Sequence, residues 1–298
     1  MTALRPFRFG VVVAQAQTGE AWLERARRVE SLGYATLAVP DVLRYAFAPF
    51  PALAAAAAAT RALHVGTYVL ANDIRHPVML AKEAATVAIL SGGRFELGIG
   101  AGRPGAADDN RMLGLSFDSG GVRLARLAES LSLIKPLLAG QPARSDGPYY
   151  PVQNAEVSPR PTQPPPILIA GSGRQLLSLA AREADIVALG VPPDATEQAV
   201  AEKIGWLREA AGDRFAHLEL NLNLMAVGNQ VPRYISAQLG LTADDLARSG
   251  AASALTGSVD EMCETLLRRR ESLGISYIMV GDELMDALAP VVERLAGR

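Results

Sequence analysis

A chain of 298 residues, 49% hydrophobic and 20% charged, has ample apolar surface for a full core, which excludes an intrinsically disordered protein. The formal net charge of -2 argues against nucleic acid or an anionic membrane surface as the main partner. One cysteine, Cys263, forbids an intrachain disulfide and fits a reducing compartment. The segment Met1–Gly10 has no signal-peptide pattern, and no stretch reaches ~18 apolar residues without charge. A soluble, cytoplasmic protein is therefore expected. The histidines, His64, His76 and His217, are too far apart to form a metal-ligand pair, so no metal is expected. The lysines are Lys82, Lys135 and Lys203, and the other basic residues are arginine. A chain this poor in nucleophiles and bases would leave hard chemistry to a cofactor.

In chain order, Phe7–Val13 reads as a buried strand, and Gly19–Leu32 as a helix stopped at Gly33. Thr36–Val39 is a strand, Phe50–Thr60 a helix and Leu63–Leu70 a strand. Pro77–Leu90 is a helix with proline in its first turn, where the missing N–H costs nothing. Phe95–Gly100 is the fourth strand, and Gly121–Ala139 an amphipathic helix with Pro136 in its last turn. Arg144–Pro166 is a polar, proline-rich excursion, read as a hairpin-like flap and a linker. Then come strand Ile167–Ala170, helix Arg174–Glu183, strand Ile186–Leu189, helix Thr196–Ala211 and strand Leu218–Val227. A polar, partly helical insertion, Pro232–Gly250, precedes helix Val259–Ser272, strand Tyr277–Val280 and a closing helix Glu283–Ala296.

Strict alternation of short apolar strands with helices predicts an α/β fold: a single (β/α)8 TIM barrel spanning 1–298, with insertions after strands 4 and 7. An open doubly wound sheet is the alternative. In a barrel, the residues that follow the strands carry the chemistry. Gly171, Ser172, Gly173 and Arg174 join a strand end to a helix N-terminus, where free N–H groups and the helix dipole attract a phosphate. Arg174 would add a charge-assisted bond. Gly100–Gly105 spells G-x-G-x-x-G, but Pro104 stands where the helix should begin and no strand follows at the right distance, so a dinucleotide site is rejected. Instead Gly98, Gly100 and Gly102 would let a flat ring lie against the strand end. Asp41, after strand two, would orient a ligand or hold Arg44. His76 would cap its helix, His64 and His217 lie at the stability end, and Cys263 is packing.

Several stretches resemble the bacterial luciferase-like monooxygenase superfamily. They are Arg75-His76-Pro77 with Ala84-Ala85-Thr86, the run SGGRFELGIGAG from Ser91 to Gly102, PPPILIAG from Pro164 to Gly171, LAAREAD from Leu179 to Asp185, and LTGS from Leu255 to Ser258. The wording of Val65–Asp73 and Gly100–Arg103 resembles the deazaflavin branch, which uses coenzyme F-420. The resemblance implies a flavin-like ring at the barrel mouth, held by Asp41, Tyr68, Val69, Ala71, Asn72, Ala101, Gly102 and Arg103, with its phosphate on Gly171–Arg174. It also implies a non-proline cis peptide near Tyr68–Val69 that supports the ring from behind.

The activity implied is hydride transfer between the cofactor and a small organic substrate. The alternatives are an FMN-dependent monooxygenase using reduced flavin and oxygen, and a non-catalytic cofactor-binding protein on the same fold. Asp41 matches the aspartate of the family's Asp-His pair, but the partner position is Val42, so the proton would pass through Tyr45, another loop residue or solvent. Arg44, Arg75, Arg103 and Arg111 are candidates for an acidic cofactor tail. The resemblance further implies a homodimer. The segments that would shape the substrate pocket, among them Leu43–Pro49 and Ala106–Gly120, favour a neutral or aromatic substrate.

Overall fold

The computed structural model describes residues 4–298; the first three residues of the N-terminal reading lie outside it. Among the described residues the main sheet has nine strands, eight of them long: β1 (Arg8–Val12), β2 (Thr36–Val39), β3 (His64–Thr67), β4 (Phe95–Gly100), β5 (Ile167–Gly171), β6 (Ile186–Leu189), β7 (Glu219–Leu224) and β8 (Ile275–Gly281). Their order is β3-β2-β1-β8-β7-β6-β5-β4, and β4 also pairs with β3, so the sheet is a closed parallel barrel. The helices are α1 (Gly19–Ser31), α2 (Pro49–Ala59), α3 (Pro77–Leu90), α4 (Gly120–Leu138), α5 (Arg174–Glu183), α6 (Glu197–Ala211), α7 (Val259–Leu273) and α8 (Met285–Leu295).

The expected third strand, Leu63–Leu70, is interrupted. β3 ends at Thr67, the Tyr68–Val69 peptide is cis, and Leu70–Ala71 then pairs separately with Ile99–Gly100. The flap is a two-stranded hairpin, Ala143–Ser145 against Val152–Ala155. Within the Ala106–Gly120 segment, Ala107–Met112 forms a short helix with Asp108 and Asp109 in its first turn. The insertion after β7 holds two short helices, Arg233–Leu239 and Ala243–Arg248, the second closed by a capping box from Thr242 and Asp245. These helices have their own apolar cluster of Ile235, Ala243, Leu246, Ala251 and Ala254.

The chain divides into two compact units. One comprises the N-terminal stretch to Val13, Arg27–Leu37 and Gly171–Arg298; the other comprises Ala14–Ala26 and Ala38–Ala170. In the first unit β1 and β7 flank β8 in parallel register, and Phe9, Val11, Leu222, Ile278 and Val280 are buried. Arg8 forks onto Glu219 at 3.0 and 2.9 Å and lies over the Tyr277 ring. In the second unit every residue of β4 is buried between β3 and β5, and all are apolar or small except Glu96, which lies 3.5 Å from His64 Nδ1.

The first unit also carries a salt-linked helix pair. Glu197, at the first turn of α6, accepts bonds from Arg268 and from the buried Arg269 of α7. The Arg268 bond, followed by that of Arg269, holds the Glu197 carboxyl down at about 2. A lowered carboxylate pKa contributes stability above the unfolded value of 4.5 and loses it as pH falls toward about 2. Glu197→Gln is therefore expected to lower the melting temperature at pH 7 by about 2–4 °C. The gap from wild type should close steadily in scans from pH 5 downward. A gap that stays constant with pH would exclude the charged pair as its source.

Candidate active site

In the second unit the residues after β2, β3 and β4 converge. Asp41 is 4% exposed at its side chain, and both its oxygens are engaged. Oδ1 accepts from Arg75 Nη2 at 3.1 Å, and Oδ2 accepts from Arg75 Nη1 and from the Ala71 amide at 3.1 Å. The expected partner, Arg44, is not the one found; Arg44 lies 4.0 Å from Asp108. Asp41 thus ties the loop after β2 to the segment after the cis peptide. Tyr45, on that same loop, is 53% exposed.

The glycines of β4 serve a different purpose from the one expected. A Cβ on Gly98 would stand 1.9 Å from the Thr67 carbonyl oxygen and 3.0 Å from a Val69 methyl, and one on Gly100 would stand 3.2 Å from the other Val69 methyl. Gly98 and Gly100 therefore make room for the protein's own backbone and for Val69, not for a bound ring. Thr67 Oγ1 locks the approach, donating to the Gly98 carbonyl at 2.7 Å and accepting from the Gly98 amide at 2.8 Å. The cis peptide, at Tyr68–Val69 as the resemblance implied, thus rests on β4. Desolvation raises the Tyr68 phenol well above its ordinary pKa, so it remains a neutral hydroxyl.

A layer of charges backs this platform. Arg126 of α4 bonds Asp73 at 2.9 Å and also Asp118, and it lies over the Tyr149 ring. Glu129, one turn further on, accepts from Ser145 Oγ at 2.9 Å, the Tyr150 amide at 2.7 Å and the Tyr149 amide at 3.2 Å, and so pins the flap. The Tyr150 hydroxyl is 3.4 Å from Asn72 Nδ2, and burial raises its pKa. Asn72 and Asp73 are 1% exposed and, at the side chain, 3% exposed, and the buried acceptors Asn72 Oδ1 and Asp73 Oδ2 have no hydrogen-bond partner. Buried acceptors left open in this way call for a donor from a ligand or a water.

Sequence reasoning read α4 only as an amphipathic helix and missed Arg123, Arg126 and Glu129. Their i, i+3, i+6 spacing was visible, but it is the ordinary pattern of a solvated face. His76 caps α3 as expected, through Nδ1 and the Val78 amide, and packs edge-on to Tyr150.

In the first unit the turn after β5 has the predicted form. Gly173 is the N-cap of α5 with no side-chain cap, so the first-turn N–H groups stay open to an anion. A Cβ on Gly190 would stand 3.0 Å from the Gly171 carbonyl oxygen, and the Gly190 amide donates to that oxygen at 2.8 Å. Arg174 is not held over the turn. Its guanidinium pairs with Glu209 at 2.7 Å, and both side chains are exposed. The cation at the turn is Lys203, whose Nζ donates to the Ser172 carbonyl at 2.7 Å. The candidate tail-binding arginines are also mostly engaged. Arg75 holds Asp41, Arg111 holds Asp108, and a Cβ on Gly105 would meet Arg103 Nη1 at 2.3 Å, which shows Arg103 folded over its own loop.

Among the described residues no helix is long and apolar enough to cross a membrane, and no group of three or more His, Cys, Asp or Glu could hold a metal ion.

Comparison with known proteins places these observations in a family. The chain is similar to F-420-dependent glucose-6-phosphate dehydrogenases from Beutenbergia cavernae (37% identity over 52% of this chain and 48% of the relative) and Nakamurella multipartita (35% over 60% and 55%). It thus spans about half the length of these curated relatives. Its fold matches the F-420-dependent tetrahydromethanopterin reductase of Methanopyrus kandleri, with a TM-score of 0.78 over 97% of this chain and 98% of that one at 17% identity. It matches an F-420-dependent secondary alcohol dehydrogenase in complex with an F-420–acetone adduct at a TM-score of 0.75, over 96% and 99%, with 18% identity. The monooxygenase RslO1 of Streptomyces bottropensis matches at 0.73, over 97% of each chain, with 22% identity. The family model described as luciferase-like monooxygenase matches residues 3–229, more than two thirds of the sequence, and the chain belongs to that family.

Proposed function

We propose that the protein is an oxidoreductase that uses coenzyme F-420 to transfer hydride to or from a small organic substrate. The observation that carries this reading is the platform of Tyr68 and Val69 on β4, with the unpartnered buried acceptors Asn72 Oδ1 and Asp73 Oδ2 on the segment that follows it. A flat, polar-edged ring suits such a ledge, because the apolar Val69 supports its face while its edge supplies donors. The similarity to the two F-420-dependent dehydrogenases supports the same cofactor.

When bound, the deazaflavin ring supplies a carbon that takes or gives a hydride and reacts little with oxygen. The chain's own residues do the rest. Asp41 and Arg75 fix the loop after β2 against Ala71 and so set the distance at which substrate meets the ledge. Ala101, Gly102 and Arg103 border it. The open α5 N-terminus at Gly171–Arg174 would hold a phosphate through its amides, with the Lys203 charge on Ser172 in place of Arg174. Because Val42 stands where the family resemblance implies the histidine of an Asp-His pair, the exposed Tyr45 hydroxyl carries the substrate proton to solvent. The active unit is proposed to be a cytoplasmic homodimer.

A fluorescence titration of the ligand-free protein with the deazaflavin cofactor and, separately, with FMN tests this reading. Micromolar or tighter deazaflavin binding with much weaker FMN binding is expected. The reverse preference would move the protein toward the FMN-dependent monooxygenases; a monooxygenase stands among its fold neighbours. Binding of the deazaflavin without turnover of any alcohol or carbonyl substrate would favour a cofactor-binding role instead.

A further inference from the structure

Arg123 of α4 reaches the strand end that borders the proposed ring site. Its Nη1 donates to two consecutive carbonyls, Ala101 at 2.8 Å and Gly102 at 2.7 Å. Its Nε donates to the Asp118 carbonyl at 3.2 Å, and its guanidinium lies 4.2 Å from the centre of the Phe117 ring. The side chain is therefore fixed at several points.

Gly102 makes the double contact possible. Its φ of +81° turns the second carbonyl toward the same side as the first, and a Cβ there would stand 3.0 Å from Arg123 Nη1. Among the described residues the only cis peptides are Tyr68–Val69 and Ser158–Pro159, so both peptides here are trans. In a planar trans peptide the N–H points opposite to the carbonyl. The amides of Gly102 and Arg103 belong to these two peptides, and both are therefore turned away from α4. The guanidinium charge at the oxygen end also draws electron density from both peptides and makes their N–H groups stronger donors.

We infer that Arg123 is a positioning residue that pins and polarises two successive peptides, so that the Gly102 and Arg103 N–H groups form a fixed donor pair for an electron-rich carbonyl oxygen on the bound ring. This rests on the proposed ring site. It gives Arg123 a role without contact with the ligand. The pair holds most strongly whichever form of the ring carries more negative charge on that oxygen.

Two measurements on Arg123→Met and Arg123→Lys decide it. In titrations with the deazaflavin cofactor, Arg123→Met should bind about 10- to 100-fold more weakly than wild type, the loss expected for charge-assisted bonds. Arg123→Lys, which keeps the charge but cannot bridge both carbonyls and Asp118, should recover part of that loss. In the ligand-free proteins, amide hydrogen exchange at Gly102 and Arg103 should be several-fold slower in Arg123→Met, because a nearby positive charge favours loss of the amide proton to base. Exchange that is faster or unchanged, with affinity within 2-fold of wild type, would reduce Arg123 to a structural tether and overturn the inference. If Arg123→Met does not fold, Arg123→Lys is compared with wild type by the same two readouts. If the wild type binds neither cofactor, the ring site itself is wrong, and the exchange comparison alone decides whether Arg123 polarises the pair.

Discussion

Gly98→Ala is expected to unseat the ledge after β3 and cost more than an ordinary core substitution. The added methyl would sit 1.9 Å from the Thr67 carbonyl oxygen, and that neighbour is backbone, which cannot swing aside as a side chain does. Relief requires β3 and β4 to part where Thr67 Oγ1 now bonds both the amide and the carbonyl of Gly98. Overpacking a well-filled core typically costs 1–3 kcal/mol, and loss of the two Thr67 bonds adds about 1 kcal/mol each. A destabilisation of roughly 3–5 kcal/mol should therefore appear in urea unfolding, with cofactor affinity falling at least 10-fold in any protein that remains folded. A variant with wild-type stability and wild-type affinity would show that the two strands are not held this closely.

The second large effect is expected at Asp41. Removing its carboxylate leaves Arg75 without its partner in a site where the aspartate is 4% and the arginine 20% exposed at the side chain. Breaking a buried pair by deleting one member costs about 3–5 kcal/mol, and the partial exposure of Arg75 places this case at or just below the lower end. Asp41→Ala and Arg75→Ala should each destabilise by roughly 2–3 kcal/mol, while the double variant should cost much less than the sum. A double-mutant cycle reads the coupling directly. Additive losses would mean that the two residues act separately. Asp41→Asn separates charge from shape. It can still accept from Ala71 but holds Arg75 weakly, so the loop after β2 loosens and substrate KM should rise more than kcat falls.

Most helices and strands were legible because each carries its own signal. Gly33 stops α1, Pro77 opens α3, and β4, apolar or small at every position but Glu96, matches burial on both faces. The break after Thr67 was not legible from composition, since Leu63–Leu70 reads as one good strand; only the family resemblance located the cis bond. The glycines of β4 were seen but assigned to a ligand, because a sequence shows that a Cβ is missing and not what fills the space. Asp41 and Arg75 were both singled out, yet their pairing depends on how two loops after different strands meet. Arg123, Arg126 and Glu129 were invisible for the same reason. Their partners are Ala101, Gly102, Asp73 and the Ser145–Tyr150 turn, and nothing local marks an exposed-looking arginine as engaged. The short helix Ala107–Met112 has too few residues for an apolar period to show.

One face of α4 grips the end of β4 through Arg123, the turn after β3 through Arg126 and the flap through Glu129. Three anchors of this half of the site therefore descend from a single helix, and the exposed parts of the intervening segments carry none of them. Evolution can exchange the stretch from Ala107 to Leu115, or the outer residues of the flap, without renegotiating how the ledge is held. New substrates can be acquired by loop replacement alone, and in divergent descendants that retain the ledge the three α4 residues should outlast the loops they anchor.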